Sequence, residues 1–284
     1  MNKISEKAEL GQGVTVGQFT IIEDGVETGD NVIIGNNVVI YEDTKIGNNV
    51  RIDDNTVIGK PAMKMQPARG ADVEVGNNIM IGSNVVIYEG AKIGNNLRID
   101  DNTVIGKEPM ENLLSRADEK TTCTVGDGCL IGANVVIYAG CQVARQCLVA
   151  DQASIREDVE VGERTSIGRG TAIEDSCKIG SRCELETNVY ITAYSEIEDS
   201  CFIAPGVNTS YDKLEGRKDP RYDNFKGVTI KEGGIVGTGA TILPGRIIKE
   251  DGFVAAGSVV TKNVESKKIV AGTPAKEFGD VEDR

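Results

Sequence analysis

Two short stretches concentrate acid–base potential in this chain: Arg156-Glu157-Asp158 after Ile155, and Glu174-Asp175-Ser176 after Ile173, set 18 residues apart. If the fold brings them side by side, four carboxylates repel one another, which raises at least one pKa or attracts a cation such as a protonated amine. A solvated acidic corner is the plainer alternative in a chain with 44 acidic and 31 basic residues. There is no histidine, so the commonest general base and the commonest zinc ligand are both missing. Seven cysteines, Cys123, Cys129, Cys141, Cys147, Cys177, Cys183 and Cys201, raise disulfide or zinc chemistry, which their placement must decide.

The elements that position these residues follow from one period. An aliphatic residue recurs every six positions: Leu10, Val16, Ile22, Ile34, Ile40, Ile46, Ile52 and Ile58, with Thr28 filling one step. The run resumes from Val75 to Ile105, from Val125 to Ile203 and from Ile230 to Val260. A six-residue period is neither helical nor simple alternation, and such self-similarity marks a repeat architecture. Composition agrees: 284 residues include no Trp, 5 Phe, 7 Tyr and 34 Gly, too few large side chains for one central core, yet enough Val and Ile for a solenoid in which each coil buries its residues against the next. The aliphatic residue is often followed by Gly and then Asn or Asp, residues that tolerate positive φ and would supply the corners. Residues 45–60 recur at 92–107 with the single change of Val50 to Leu97, a duplication.

This pattern resembles the hexapeptide-repeat family, in which three units make one triangular coil. The resemblance implies an all-β fold, a left-handed parallel β-helix, that is, a hexapeptide solenoid of about twelve coils with three loop insertions from one edge. Handedness comes from the resemblance alone, because elementary sterics favour right-handed crossovers. The helix is expected over 1–265 with loops at 60–73, 107–122 and 209–228, and 266–284 as a tail. The breaks follow the ninth, fifteenth and thirtieth units. All three therefore leave one corner, provided each break returns at the next coil, and loops on a rigid scaffold carry binding residues. Tyr41, Tyr88 and Tyr138 fall on that side, as a trimer contact, as exposed aromatics or as stacking surfaces for a nucleobase. The two acidic stretches become stacked neighbours at about 4.8 Å. The seven cysteines all lie four places after an aliphatic position, a slot that points inward in this family, so they are expected as buried small hydrophobes.

Family members are mostly acyl-CoA-dependent acyltransferases acting as trimers, with active sites between subunits. The stretch from Gly234 to Val264, followed by Ile269 to Gly279, is similar to the acetyl-CoA end of sugar acyltransferases. The resemblance implies that Ala255, Ala256 and Gly257 line the pantetheine path, and that Thr261, Lys262, Pro274 and Lys276 lie near the adenine and its phosphates. The third insertion resembles that of bacterial nucleotide-sugar N-acyltransferases, which implies acceptor binding by Asn208, Tyr211, Asp212 and Arg221; with the acyl-CoA placed along the later coils, the acceptor nucleotide is expected towards the N-terminal coils, near Tyr138. Many relatives carry a histidine where this chain has Asp175. A hydroxyl acceptor needs a base, whereas a neutral amine is already nucleophilic, so the absence of histidine favours N-acylation.

The expected function is acyl transfer, from acetyl-CoA or another acyl-CoA as co-substrate and without a metal, to a dTDP- or UDP-linked amino-deoxysugar. Glu157 and Asp175 would orient the amine or accept its proton, assisted by Asp158 and Glu174, and backbone NH groups would stabilise the oxyanion. Asp175 and Thr261 would stand four coils apart, roughly 19 Å, about the reach of a pantetheine arm. O-acetylation with a carboxylate base and a non-catalytic scaffold are the alternatives. A net charge of −13 argues against nucleic acid or an anionic membrane as partner, and the start has no apolar h-region. A cytoplasmic homotrimer is the expectation.

Overall fold

The computed structural model describes residues 1–62, 72–109, 122–213 and 225–282. The chain divides into two compact units, residues 1–152 and 153–284. Each is a parallel β-solenoid with three sheets and, among the described residues, no helix. Most strands have two residues: the first faces outward and the second, the aliphatic one, faces inward.

In the first unit the inward residues of the first sheet stack in register as Ile22, Ile40, Ile58, Ile87, Ile105 and Ile137. All six are buried. Removing each from water contributes roughly 1.5–3 kcal/mol, which is how Val and Ile replace a globular core. In the second unit Ile155, Ile173 and Ile191 stack in the same way, followed by Thr209, Ile242 and Val260. The first sheet has seven strands in the first unit, beginning at Lys3–Ile4, and six in the second, ending at Val259–Val260. The expectation of about twelve coils omitted the one opened by Lys3–Ile4, which pairs with Ile21–Ile22.

The corners divide their work more finely than the sequence suggests. Positive φ belongs to the residue three places after the aliphatic one, such as Asn31 (57°), Asn37 (54°) and Asn49 (55°). The glycine directly after the aliphatic residue serves close approach instead. A Cβ on Gly17 would stand 2.4 Å from the Gly35 carbonyl oxygen of the next coil. The Asn and Asp side chains also form ladders: Asn48 N–H donates to Asn77 Oδ1 (2.8 Å) and Asn77 N–H to Asn95 Oδ1 (2.9 Å). Each coil thus satisfies corner amides of its neighbour.

The seven cysteines are buried thiols, none joined in a disulfide. Their thiols donate weakly to carbonyl oxygens, as Cys129 to Ala144 (3.1 Å) and Cys183 to Glu198 (3.0 Å), so they fill the inward slot expected of them. In the first unit, breaks follow Val57–Lys60 and Val104–Lys107, both in the first sheet, and the chain returns in the second sheet with Glu74–Val75 and Thr124–Val125. The second unit repeats this after Asn208–Thr209, returning at Thr229–Ile230. Each insertion therefore leaves the corner between first and second sheets, and each returns at the next face.

The outward surfaces differ by sheet. The second sheet of the first unit carries alternating Glu27, Lys45, Glu74 and Lys92. The third sheet instead exposes Ile33, Met80, Leu130 and Leu148. In the second unit, Phe202, Ile235, Phe253 and Ile269 of the third sheet line a groove of about 820 Å³. No helix among the described residues is long and apolar enough to cross a membrane.

Candidate functional site

The acidic stretches lie in the second unit, on the corner that follows the first sheet. Because Ile155 pairs with Ile173, the coils align Arg156 beneath Glu174 and Glu157 beneath Asp175. This register introduces a residue that the acidic pattern alone did not use, Arg156. Its Nε and Nη2 donate to the two oxygens of Glu157 at 2.8 and 2.7 Å, while Nη1 reaches Glu174 Oε2 only at 3.5 Å. The cation expected between the carboxylates is thus supplied by the chain itself.

The two glutamates titrate apart as a result. Burial pushes the Glu157 carboxyl up, but the Arg156 fork, the Glu157 backbone N–H and the Arg156 charge together hold it below the usual glutamate range. For Glu174, burial pushes up, Arg156 pulls down, and the charges of Asp175 and Glu157 push up again, leaving it raised. Tyr190, one coil on, has its pKa raised, first by burial and then by the Glu174 charge, and its hydroxyl in turn lowers that of Glu174. Asp158 lies at the exposed turn with φ 56°. Asp175 accepts from the Ser176 hydroxyl at 3.4 Å.

The third insertion begins next to this cluster. Asn208 pairs with Tyr190 on one side and Thr241 on the other. Tyr211 lies close enough to Tyr190 to raise the latter's pKa, and it packs edge-on against Phe225 with ring centroids 4.7 Å apart. Asp212 bridges to Phe225 in antiparallel fashion. Arg221 lies outside the described residues. One coil beyond Glu174 in the same column, the buried Thr192 hydroxyl has no hydrogen-bond partner among the described residues.

The residues expected for acyl-CoA divide between two corners. Val260 stacks in line with Ile173 through four strand pairings, so Thr261 and Lys262 lie on the corner of Glu174 and Asp175, roughly 19 Å further along. Lys262 is exposed. Ala255, Ala256 and Gly257 lie on the other flank of the first sheet, at the corner that precedes it. Ala255 N–H donates to Val270 O and Gly257 N–H to Thr238 O, both at 2.9 Å. Pro274 joins them, because Gly272 N–H donates to the Ser258 hydroxyl (3.1 Å) and Ala275 N–H to Val259 O (2.8 Å). Lys276 opens the closing strand Lys276–Asp280, antiparallel to Lys268–Ala271. The corner of Gly257 is bare: Gly206, Gly239 and Gly257 stack at φ 66–70°, and a Cβ on any of them would meet nothing within 4 Å. Sequence reading had picked only Gly257 of the three, and their spacing after successive aliphatic residues would have revealed the other two.

Tyr138 belongs to the first unit. Lys107 Nζ lies 5.1 Å from its ring centroid and 3.5 Å from its hydroxyl, and the duplicated Lys60 sits over Tyr88 at 5.3 Å. Tyr88 is buried. One face of each ring is therefore already engaged by a cation. Among the described residues no group of three or more Cys, Asp or Glu side chains is placed to hold a metal ion.

Three sheets, two-residue strands and a six-residue period define a hexapeptide-type parallel β-solenoid. Residues 25–60 match the bacterial transferase hexapeptide family (six repeats), and residues 72–107, 123–150 and 154–193 match the hexapeptide repeat of succinyl-transferase. The galactoside O-acetyltransferase of Escherichia coli (strain K12) is 32% identical over 92 residues, which is 31% of this chain and 45% of that protein. A His-to-Asn variant of perosamine N-acetyltransferase from Caulobacter crescentus, in complex with CoA and GDP-perosamine, aligns at 24% identity and a TM-score of 0.41, covering 47% of this chain and 57% of that one. The UDP-N-acetylglucosamine acyltransferase from Campylobacter jejuni aligns at 14% identity and a TM-score of 0.30, over 98% and 75%. The chain spans less than half the length of the curated relative it matches. With its repeats matched in both units, the chain belongs to the hexapeptide-repeat, left-handed β-helix superfamily.

Proposed function

We propose that the protein is an acyl-CoA-dependent N-acyltransferase that acetylates the amino group of a dTDP- or UDP-linked amino-deoxysugar without a histidine base. The observation that carries this reading is the stacked Glu157, Arg156 and Glu174 cluster, which lies against Tyr190 at the root of the third insertion. An amine acceptor arrives as a cation and must lose a proton to react, and a carboxylate of raised pKa suits both tasks. Glu157, Asp175, Asp158 and Glu174 form the catalytic corner. Asn208, Tyr211, Asp212 and Arg221 bind the acceptor.

Thr261, Lys262 and Lys276 pair with the phosphates of the co-substrate, while Ala255, Ala256, Gly257 and Pro274 line the track for its pantetheine arm. The Gly206, Gly239 and Gly257 column supports the track, since a ligand can lie against bare backbone where no Cβ stands. A homotrimer in the cytoplasm is part of the reading, and the exposed apolar residues of the third sheet are its support. A second reading, O-acetylation with a carboxylate base, is favoured by the partial match to a sugar O-acetyltransferase. Mass spectrometry of a sugar nucleotide incubated with acetyl-CoA tests both: a product heavier by one acetyl group that resists mild base is an amide, and one that mild base cleaves is an ester.

A further inference from the structure

The corner presents two glutamates, and the geometry does not treat them alike. Both oxygens of Glu157 are held in the Arg156 fork, whereas Glu174 receives only the 3.5 Å contact from Nη1. Arg156 has thus directed its short, charge-assisted bonds to one partner. Glu174 instead feels the Tyr190 hydroxyl, which lowers its pKa, and Tyr190 projects from the sheet that separates the two flanking corners. Directly after Glu174 in its column stands Thr192, whose buried hydroxyl has no hydrogen-bond partner among the described residues. We infer that Glu174, rather than Glu157 or Asp175, takes the proton from the attacking amine, with Tyr190 and Arg156 as positioning residues that respectively orient it and withhold Glu157.

This assignment rests on the N-acyltransferase reading. In the step, the amine nitrogen forms the new bond to the acyl carbon, the C–S bond breaks, and its electron pair leaves on sulfur. The N–H proton passes to the Glu174 carboxylate and then to the thiolate, giving an amide and CoA thiol. The groups facing Glu174 are Arg156, Glu157, Asp175 and Tyr190, with Tyr211 and Cys177 behind Tyr190. Their combined effect raises Glu174 and brings it nearer to neutral pH than Glu157, as a general base requires.

The test uses the full-length chain and its Glu174→Gln, Glu157→Gln and Tyr190→Phe variants, assayed for acyl transfer to an amino-sugar nucleotide across pH. Glu174→Gln should lower kcat/KM at least ~100-fold and Glu157→Gln less than ~10-fold. Tyr190 pulls the Glu174 pKa down, so Tyr190→Phe should move the acidic limb of the pH–rate profile to higher pH, which a merely structural role would not do. Carbon-13 NMR of glutamate carboxyls gives the same order without turnover: Glu174 titrates above Glu157, and higher still in Tyr190→Phe. An active wild type in which Glu157→Gln carries the large loss, or in which the limb does not move, overturns the assignment alone. A wild type that acylates no amine overturns the functional reading, and the assignment with it.

Discussion

Replacing Glu157 or Glu174 by Gln should move stability in opposite directions, although the two residues stand in adjacent coils. The side chains of Arg156, Glu157 and Glu174 are 30%, 19% and 26% exposed, between a surface pair and a buried one. Glu157→Gln removes two charge-assisted bonds. Such bonds contribute about 1.5–3 kcal/mol when well shielded and about 0–1 kcal/mol at the surface, so a loss of about 1–2 kcal/mol is expected at pH 7. Glu174→Gln removes a charge set among Asp175 and Glu157 and keeps an oxygen for Tyr190, so a gain of about 0.5 kcal/mol is expected. At about 2–4 °C per kcal/mol, melting followed by circular dichroism should fall by roughly 2–8 °C for the first variant and rise by roughly 1–2 °C for the second. Glu157 is depressed in the folded state, so its contribution is present above its unfolded value and disappears as pH falls through the folded one. Glu174 is raised, so it weakens the fold above its folded pKa, and that penalty disappears as pH falls towards the unfolded value. Both differences should therefore shrink in acid. Shifts of the same sign, or differences as large at pH 3 as at pH 7, would refute the arrangement.

Ile191→Ala, at a fully buried position, should cost about 2–5 kcal/mol, read as a lower urea midpoint. Gly17→Ala pushes a Cβ into the Gly35 backbone and should cost about 1–3 kcal/mol, although the added methyl is small. Asn49→Val places a β-branched residue at φ 55° and should cost about 1–2 kcal/mol, while Asn49→Gly should cost less, a contrast visible in thermal melts. Lys262→Ala should weaken acyl-CoA binding about fivefold, the equivalent of ~1 kcal/mol, with the loss fading at high salt in calorimetric titrations.

The fold was legible because one buried slot repeats, and a period carried by Ile and Val survives substitution everywhere else. One coil was left uncounted: Ile4 stands one six-residue step before Leu10, but there the aliphatic residue is exposed rather than buried. Corner chemistry was half legible: Asn was placed correctly, but the role of Gly17 depends on how close two coils approach, which no single strand reveals. In the site, register alone brought the acidic stretches together. The fork between Arg156 and Glu157 was not legible, since neighbouring residues in a sequence give no sign of which partner a long side chain chooses. The division of the acyl-CoA residues between two corners was implicit in the spacing of Gly257 and Thr261 and was missed because only distance along the axis was counted.

The most direct measurement is CoA-thiol release from acetyl-CoA with matched sugar nucleotides that differ only in carrying an amino or a hydroxyl group at one ring position. The account predicts saturable, acceptor-dependent release with kcat/KM at least ~100-fold higher for the amine, since no histidine is present to deprotonate a hydroxyl. Release that favours the hydroxyl, or that no sugar nucleotide accelerates, would contradict it.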